Sequence, residues 1–129
     1  MDNAAAWIVT TLKADAQLTA LVGTRFYVDE APEGTVYPFV VMQQIDAVPV
    51  QNAFADRIMD GERWQVKAVT KSTSWVAAKQ IAERIEIALH KKRGSNVISS
   101  VIQFKMPMFE KDTSGVYRTM ILDFRVHTQ

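Results

Sequence analysis

The stretch from Trp64 to Arg93 constrains the fold most, because a two-residue hydrophobic period there runs almost directly into a helical one. Trp64, Val66 and Ala68 alternate with Gln65 and Lys67, the pattern of a strand with one buried face. After the polar link Lys71-Ser72-Thr73-Ser74, apolar residues recur at Trp75, Ala78, Ile81, Ala82, Ile85, Ala88 and Leu89, and Lys79, Glu83, Arg84 and Glu86 fall largely between them. That is an amphipathic helix, with the link's hydroxyls as N-caps. A strand leading into such a helix buries both apolar faces most readily when the helix folds back over its own sheet.

The flanking segments extend this unit in both directions. Asp2 and Asn3 cap a first helix with Ala4, Trp7, Ile8 and Leu12 on one side; Asp15 caps a short second turn carrying Leu18, Leu21 and Val22, which Gly23 stops. Trp7 on the apolar stripe reads as a core or interface anchor. Arg25 to Val28 is a short strand, and Asp29-Glu30-Ala31-Pro32-Glu33-Gly34 an acidic surface loop set for a type I turn. A second strand spans Tyr37 to Ile45, and its apolar run Phe39-Val40-Val41-Met42 predicts cover on both faces.

Asp46 to Asp60 has no consistent period despite Val48, Pro49, Val50, Phe54, Ile58 and Met59, so it reads as a long connection. Connections of that length are usually functional or disordered, and their apolar side chains point to a waiting partner or to a flap over the chain's own core. Beyond the central helix, Val97 to Met108 is a strand that Pro107 ends or bulges, with Ile98, Ile102, Phe104, Met106 and Met108 in one phase and Val101, Gln103 and Lys105 in the other. Lys111 to Gly115 connects it to a last strand, Val116 to His127, with Val116, Met120, Leu122, Phe124 and Val126 on one face. The expected fold is α+β: helix, three strands, helix, two strands, in an antiparallel or mixed sheet with its helices packed on one face.

Size and charge narrow the function classes. A chain of 129 residues is one domain's worth, 1–129, able to bury roughly two-thirds of its unfolded surface. Fifteen Lys plus Arg against fourteen Asp plus Glu leave +1, too little to steer nucleic acid or membrane over the whole surface. The absence of cysteine excludes disulfides, thiolate catalysis and cysteine-held metals. With no signal-like N-terminus and no window near the ~20 apolar residues of a membrane span, a cytoplasmic soluble protein is expected.

No catalytic, cofactor or metal residue is assigned. His90 and His127 have no partner at metal-ligand spacing and read as solvent-exposed; the serines sit in caps, loops or strands, and the five glycines are dispersed. His90-Lys91-Lys92-Arg93-Gly94 ends the central helix, its cations complementing the dipole and Gly94 taking a left-handed C-cap. Lys91, Lys92 and Arg93 form a minor candidate basic patch, without the aromatic interleaving of a nucleic-acid site.

The runs Leu18 to Tyr27 (LTALVGTRFY) and Ala31 to Val41 (APEGTVYPFVV), followed by the Arg63-to-Lys71 strand, the Ser74-to-Leu89 helix and Gly115-Val116-Tyr117-Arg118, resemble the tail-completion proteins of long-tailed bacteriophages and prophages. These are the tail terminators, or tail-to-head joining proteins. The resemblance implies a non-enzymatic virion protein at the head–tail junction, assembled in the host cytoplasm, that closes into a hexameric ring on the finished tail tube. It would stop tube growth and join the head connector. Its implied partners are copies of itself, the major tail tube protein and the head–tail connector, with no membrane, no cofactor and DNA only as cargo passing through the bore. The family supplies no motif of functional residues, so candidates rest on physical grounds. Val48, Val50, Phe54, Ile58 and Met59 are the first choice for subunit or tube contact, and the acidic loop residues Asp29, Glu30 and Glu33 the second. The alternatives are a head-completion or minor tail protein on a similar scaffold, and a small-ligand-binding α+β domain.

Overall fold

A computed structural model describes residues 3–51, 57–94 and 96–128. The elements are α1 (Asn3–Lys13), α2 (Ala16–Val22), β1 (Phe26–Val28), β2 (Phe39–Gln51), β3 (Arg57–Lys71), α3 (Val76–Leu89), β4 (Val97–Asp112) and β5 (Gly115–Thr128). They form the expected α+β fold, with one mixed sheet in the order β1-β2-β3-β5-β4. Only β1 and β2 are parallel; every other neighbour pair is antiparallel.

The predicted strand and helix lie at the centre. Val66 is paired with Met42 on one side and Leu122 on the other, and Ala68 with Val40 and Met120. This row, with Trp64, Phe124 and Val126, packs against Ile81, Ile85 and Leu89 of α3 and Ile8, Leu12, Leu18 and Val22 of α1 and α2. Each such side chain taken out of water contributes about 1.5–3 kcal/mol, so this layer dominates stability. Glu62 is also buried on the helix side, where its carboxylate accepts hydrogen bonds from the Trp64 indole N–H (3.2 Å) and the Thr128 hydroxyl (3.1 Å).

Local signals at the second helix act as expected; of the caps expected for the first, Asp2 lies outside the described residues and Asn3 is the first residue of α1. The Asp15 carboxylate accepts the Leu18 N–H at 2.9 Å as the N-cap of α2, and Gly23 ends that helix at φ +64°. Asp15 also takes an ion pair from Arg84 on α3 at 2.9 Å, tying the second helix to the third.

Several expectations are corrected. The presumed long connection from Asp46 to Asp60 is instead mostly the far ends of β2 and β3, paired from Asp46↔Arg63 to Gln51↔Arg57. A bulge at Ile45 shifts the register between Gln44 and Asp46, which breaks the alternation there and hides a long strand from periodicity. β4 likewise continues through Pro107 to Asp112, because it is an edge strand whose outward side needs no ladder donor. A register shift at Gln103 separates Ile102, beside Phe124 on the helix side, from Phe104, Met106 and Met108, beside Asp123, Ile121 and Thr119 on the other face. The apolar phase expected along that strand is therefore split.

At the ends of α3 and in the acidic loop, the local chemistry also differs. Trp75 occupies the N-cap position without a side-chain bond, and Ser74 Oγ instead accepts the Val76 N–H at 3.2 Å. The left-handed residue after α3 is Lys91 (φ +59°), not Gly94. Gly94 is required for close approach: a Cβ there would lie 2.3 Å from Trp7 Nε1. In the acidic loop, Gly34 has φ +81° two residues after Pro32, whose carbonyl accepts the Thr35 N–H; that is a type II turn rather than type I. Both histidines are half-buried and bonded: His90 Nδ1 accepts the Ile102 N–H at 3.1 Å, and His127 Nδ1 lies 3.2 Å from Ser99 Oγ.

Gly94→Ala should destabilise the protein by about 1–3 kcal/mol in denaturant unfolding, because the methyl group must displace the Trp7 ring. Burial resists ionisation of Asp15, but the Leu18 N–H and Arg84 outweigh it and hold its carboxyl below the usual value. A depressed carboxyl stabilises the fold above its unfolded pKa and loses that contribution as pH falls through the folded one. Asp15→Asn should thus unfold more easily at pH 7, and the gap should close below about pH 4, read by thermal melts across pH.

Candidate functional site

With the helices on one side, the opposite face of the sheet has no covering layer of secondary structure among the described residues. Its upper half is a polar network. Arg63 pairs with the buried Asp123 at 2.8 Å and lies over the Phe104 ring, 5.7 Å from its centroid. Arg125 reaches Asp46 at 3.1 Å and the Gly61 carbonyl at 3.3 Å, beside the Ser99–His127 contact. These charges satisfy one another.

The lower half and the β4 edge are apolar and aromatic. Phe104, Met106 and Met108, each more than two-fifths exposed, run down the open face of β4, and Phe109 is exposed on its other side. From Gln103 to Ser114 every residue is exposed, so neither face of this edge is covered. At its foot, Tyr37 packs on Phe39 (5.1 Å between ring centroids) and Tyr117 (5.6 Å). Together with Val69, Thr119, Glu110 and Asp112, the two tyrosines line a cleft of about 230 Å³. Burial foremost, then Tyr117, Asp112 and Glu110, push the Tyr37 phenol above its ordinary pKa.

The residues singled out from sequence are dispersed. Val48 is 54% exposed on the β2–β3 arm and Met59 is half-buried opposite Val50. Phe54 lies outside the described residues, as do the side chains of Val50 and Ile58. Asp29, Glu30 and Glu33 are exposed after β1 at one margin of the sheet, with Asp29 (φ +71°) held by its N–H to the Met42 carbonyl. Lys91, Lys92 and Arg93 are exposed at the opposite margin, where Lys92 bridges to Ser100 of β4. Sequence reading missed the Tyr37–Tyr117 cleft and the exposure of Phe104, Met106 and Met108. Their alternation was visible, but periodicity does not say which face a helix covers.

Reactive groups do not converge. Among the described residues no three His, Asp or Glu side chains are placed to hold a metal ion. A hollow of about 400 Å³ between α2 and α3 is lined by Gln17, Ala20, Leu21, Gln80, Glu83 and Arg84. No described helix is long and apolar enough to cross a membrane.

This architecture has relatives. The family model described as tail completion protein gp17 matches residues 6–129. The chain belongs to the tail completion protein gp17 family. It is accordingly a structural protein of a phage-type tail. The fold is also that of a chain in the solved virion of a native gene transfer agent (GTA) particle, 20% identical, with a TM-score of 0.66 over 94% of this chain and 90% of that one. No curated protein matches it.

A raised phenol resists ionisation in the folded state, so its effect on stability is neutral below about pH 10 and unfavourable above it, where the unfolded chain ionises first. Tyrosine NMR titration should therefore find Tyr37 ionising above the ordinary phenol value, and Glu110→Gln should lower its midpoint.

Proposed function

We propose that this tail completion protein closes a homo-oligomeric ring, a hexamer, on the end of the tail tube, halts addition of tube subunits and presents the surface that the head connector meets. The observation that carries this reading is that the sheet has two different unfilled margins on one chain. On one side β1 pairs with Val40 to Met42 of β2, and beyond Gln43 the β2–β3 arm has no outer strand among the described residues. On the other, β4 is a sixteen-residue edge with apolar side chains in water. A closed ring needs such a pair of unlike patches, since each subunit gives one and receives the other.

Proline restricts how the margins meet. Pro49 in the arm and Pro107 in β4 each remove a ladder donor, which disfavours a continuous strand-to-strand zipper and the open aggregation it invites. Contact is therefore through side chains, with Val48 and Met59 on the arm meeting Phe104, Met106 and Met108 of a neighbour or the tube; Phe54 and the side chains of Val50 and Ile58, the other candidates from sequence, lie outside the described residues. The acidic loop Asp29, Glu30 and Glu33 flanks the arm margin. The gene transfer agent likeness supports a place in a phage-like particle.

Native mass spectrometry and electron microscopy, with and without tail tubes, test the reading; a ring seated on tube ends is expected, and monomer under both conditions would overturn it. Binding to the head portal and not to tube ends would move the protein to head completion. Met106→Asp with Met108→Asp should lower assembly at least tenfold while far-UV circular dichroism stays native, because both side chains already face water.

A further inference from the structure

We propose that the cleft formed by Tyr37, Tyr117, Glu110 and Asp112 receives the basic segment Lys91-Lys92-Arg93 of a second copy. This rests on the reading that the chain self-associates, and it names which surfaces meet.

The cleft has the chemistry of an organic-cation receptor. Glu110 lies opposite Tyr117 in the β4–β5 ladder, and Asp112 Oδ1 is occupied in capping the hairpin turn, accepting the Ser114 N–H at 2.7 Å and the Gly115 N–H at 3.2 Å. The Glu110 carboxylate and the second Asp112 oxygen remain without a protein hydrogen bond among the described residues. The rings of Tyr37 and Tyr117 meet at 45°, offering π faces that attract ammonium and guanidinium groups. Lys71 already places its ammonium 5.8 Å from the Tyr117 centroid, and the residues lining the cleft itself carry two carboxylates and no cation. Two carboxylates with aromatic walls suit a Lys or Arg head group better than a bare metal ion, which wants more oxygen ligands.

The complementary group is on the same chain. Arg63, Arg84, Lys105 and Arg125 each have a carboxylate partner, whereas Lys91, Lys92 and Arg93 are exposed without one among the described residues. Their backbone is nonetheless fixed. The Lys91 N–H donates to the Ser100 carbonyl at 2.7 Å, Gly94 donates to Val97, and Trp7 presses against Gly94. An ordered backbone spares these three cations the main-chain part of the ordering cost, and the long side chains give up rotamer freedom on docking.

The two sites cannot meet within one molecule. Lys92 sits beside Ser100, which pairs with Val126, while Glu110 pairs with Tyr117, some ten residues down β4 and about 30 Å away. Only a second copy can join them. A patch that meets a different patch on its neighbour can repeat head to tail, the arrangement a closed ring uses.

A charge exchange on the full-length chain tests this, with assembly followed by sedimentation velocity. Glu110→Lys alone, and Lys92→Glu with Arg93→Glu, should each raise the concentration needed for assembly about tenfold, and combining all three should recover most of the loss. Added salt should weaken wild-type assembly in the same direction. Unchanged assembly in both single-sided variants, or no recovery in a combined variant that stays folded by circular dichroism, overturns the proposal. If Met106→Asp with Met108→Asp abolishes that unchanged assembly, the ring reading survives and only this inference falls. Should the wild-type chain remain monomeric, NMR titration with the peptide Leu-His-Lys-Lys-Arg-Gly decides: shifts at Tyr37, Tyr117 and Thr119 that Glu110→Lys removes support the docking. No shift, or a response to spermidine and not to the peptide, overturns it.

Discussion

The packing of α3 across β3 and β5 is the contact on which the rest of this protein depends. Val66 and Ala68 are paired on both sides by buried residues, and Ile81, Ile85 and Leu89 lie over that row, so strand order, register and helix placement are fixed by one continuous apolar layer. Surface ion pairs such as Lys105–Glu86 contribute about 0–1 kcal/mol each, well below a single buried Ile or Phe. The core therefore sets the fold almost alone, and the exposed margins add little to it.

That division of labour explains why the two faces of the sheet look so different. On the helix side, polar groups such as Glu62 are buried and answered by Trp64 and Thr128. On the open side, charges are paired in the upper half, while aromatic and methionine side chains remain in water below and along β4. A monomer that worked alone would have reason to cover such an edge. An exposed apolar edge of this kind is what surfaces that meet a partner commonly show.

The basic segment after α3 shows how one stretch can have a local and a distant role. Its cations complement the carbonyl end of the helix, which is sufficient to explain their presence. The clamp of Trp7 on Gly94 and the bridge of Lys92 to Ser100 add something the dipole does not need, a backbone held against the edge of β4. The Tyr37–Tyr117 cleft has the opposite charge and lies out of reach on the same molecule.

The periodicities of Trp64–Ala68 and Trp75–Leu89, the Asp15 cap and the Gly23 stop determined the central strand, the helices and the α+β class from sequence alone, because each is a local pattern whose physics acts over a few residues. Much of the chain order of the resemblance was legible for the same reason. The long β2–β3 arm and the true phase of β4 were not, since a single bulge at Ile45 or Gln103 moves every following side chain to the other face and leaves no mark in composition. Which face the helices cover, and hence that Phe104, Met106 and Met108 stand in water while Tyr37 meets Tyr117, was decided only by the tertiary structure. Those outcomes depend on pairings between residues tens of positions apart, and no short-range pattern encodes them.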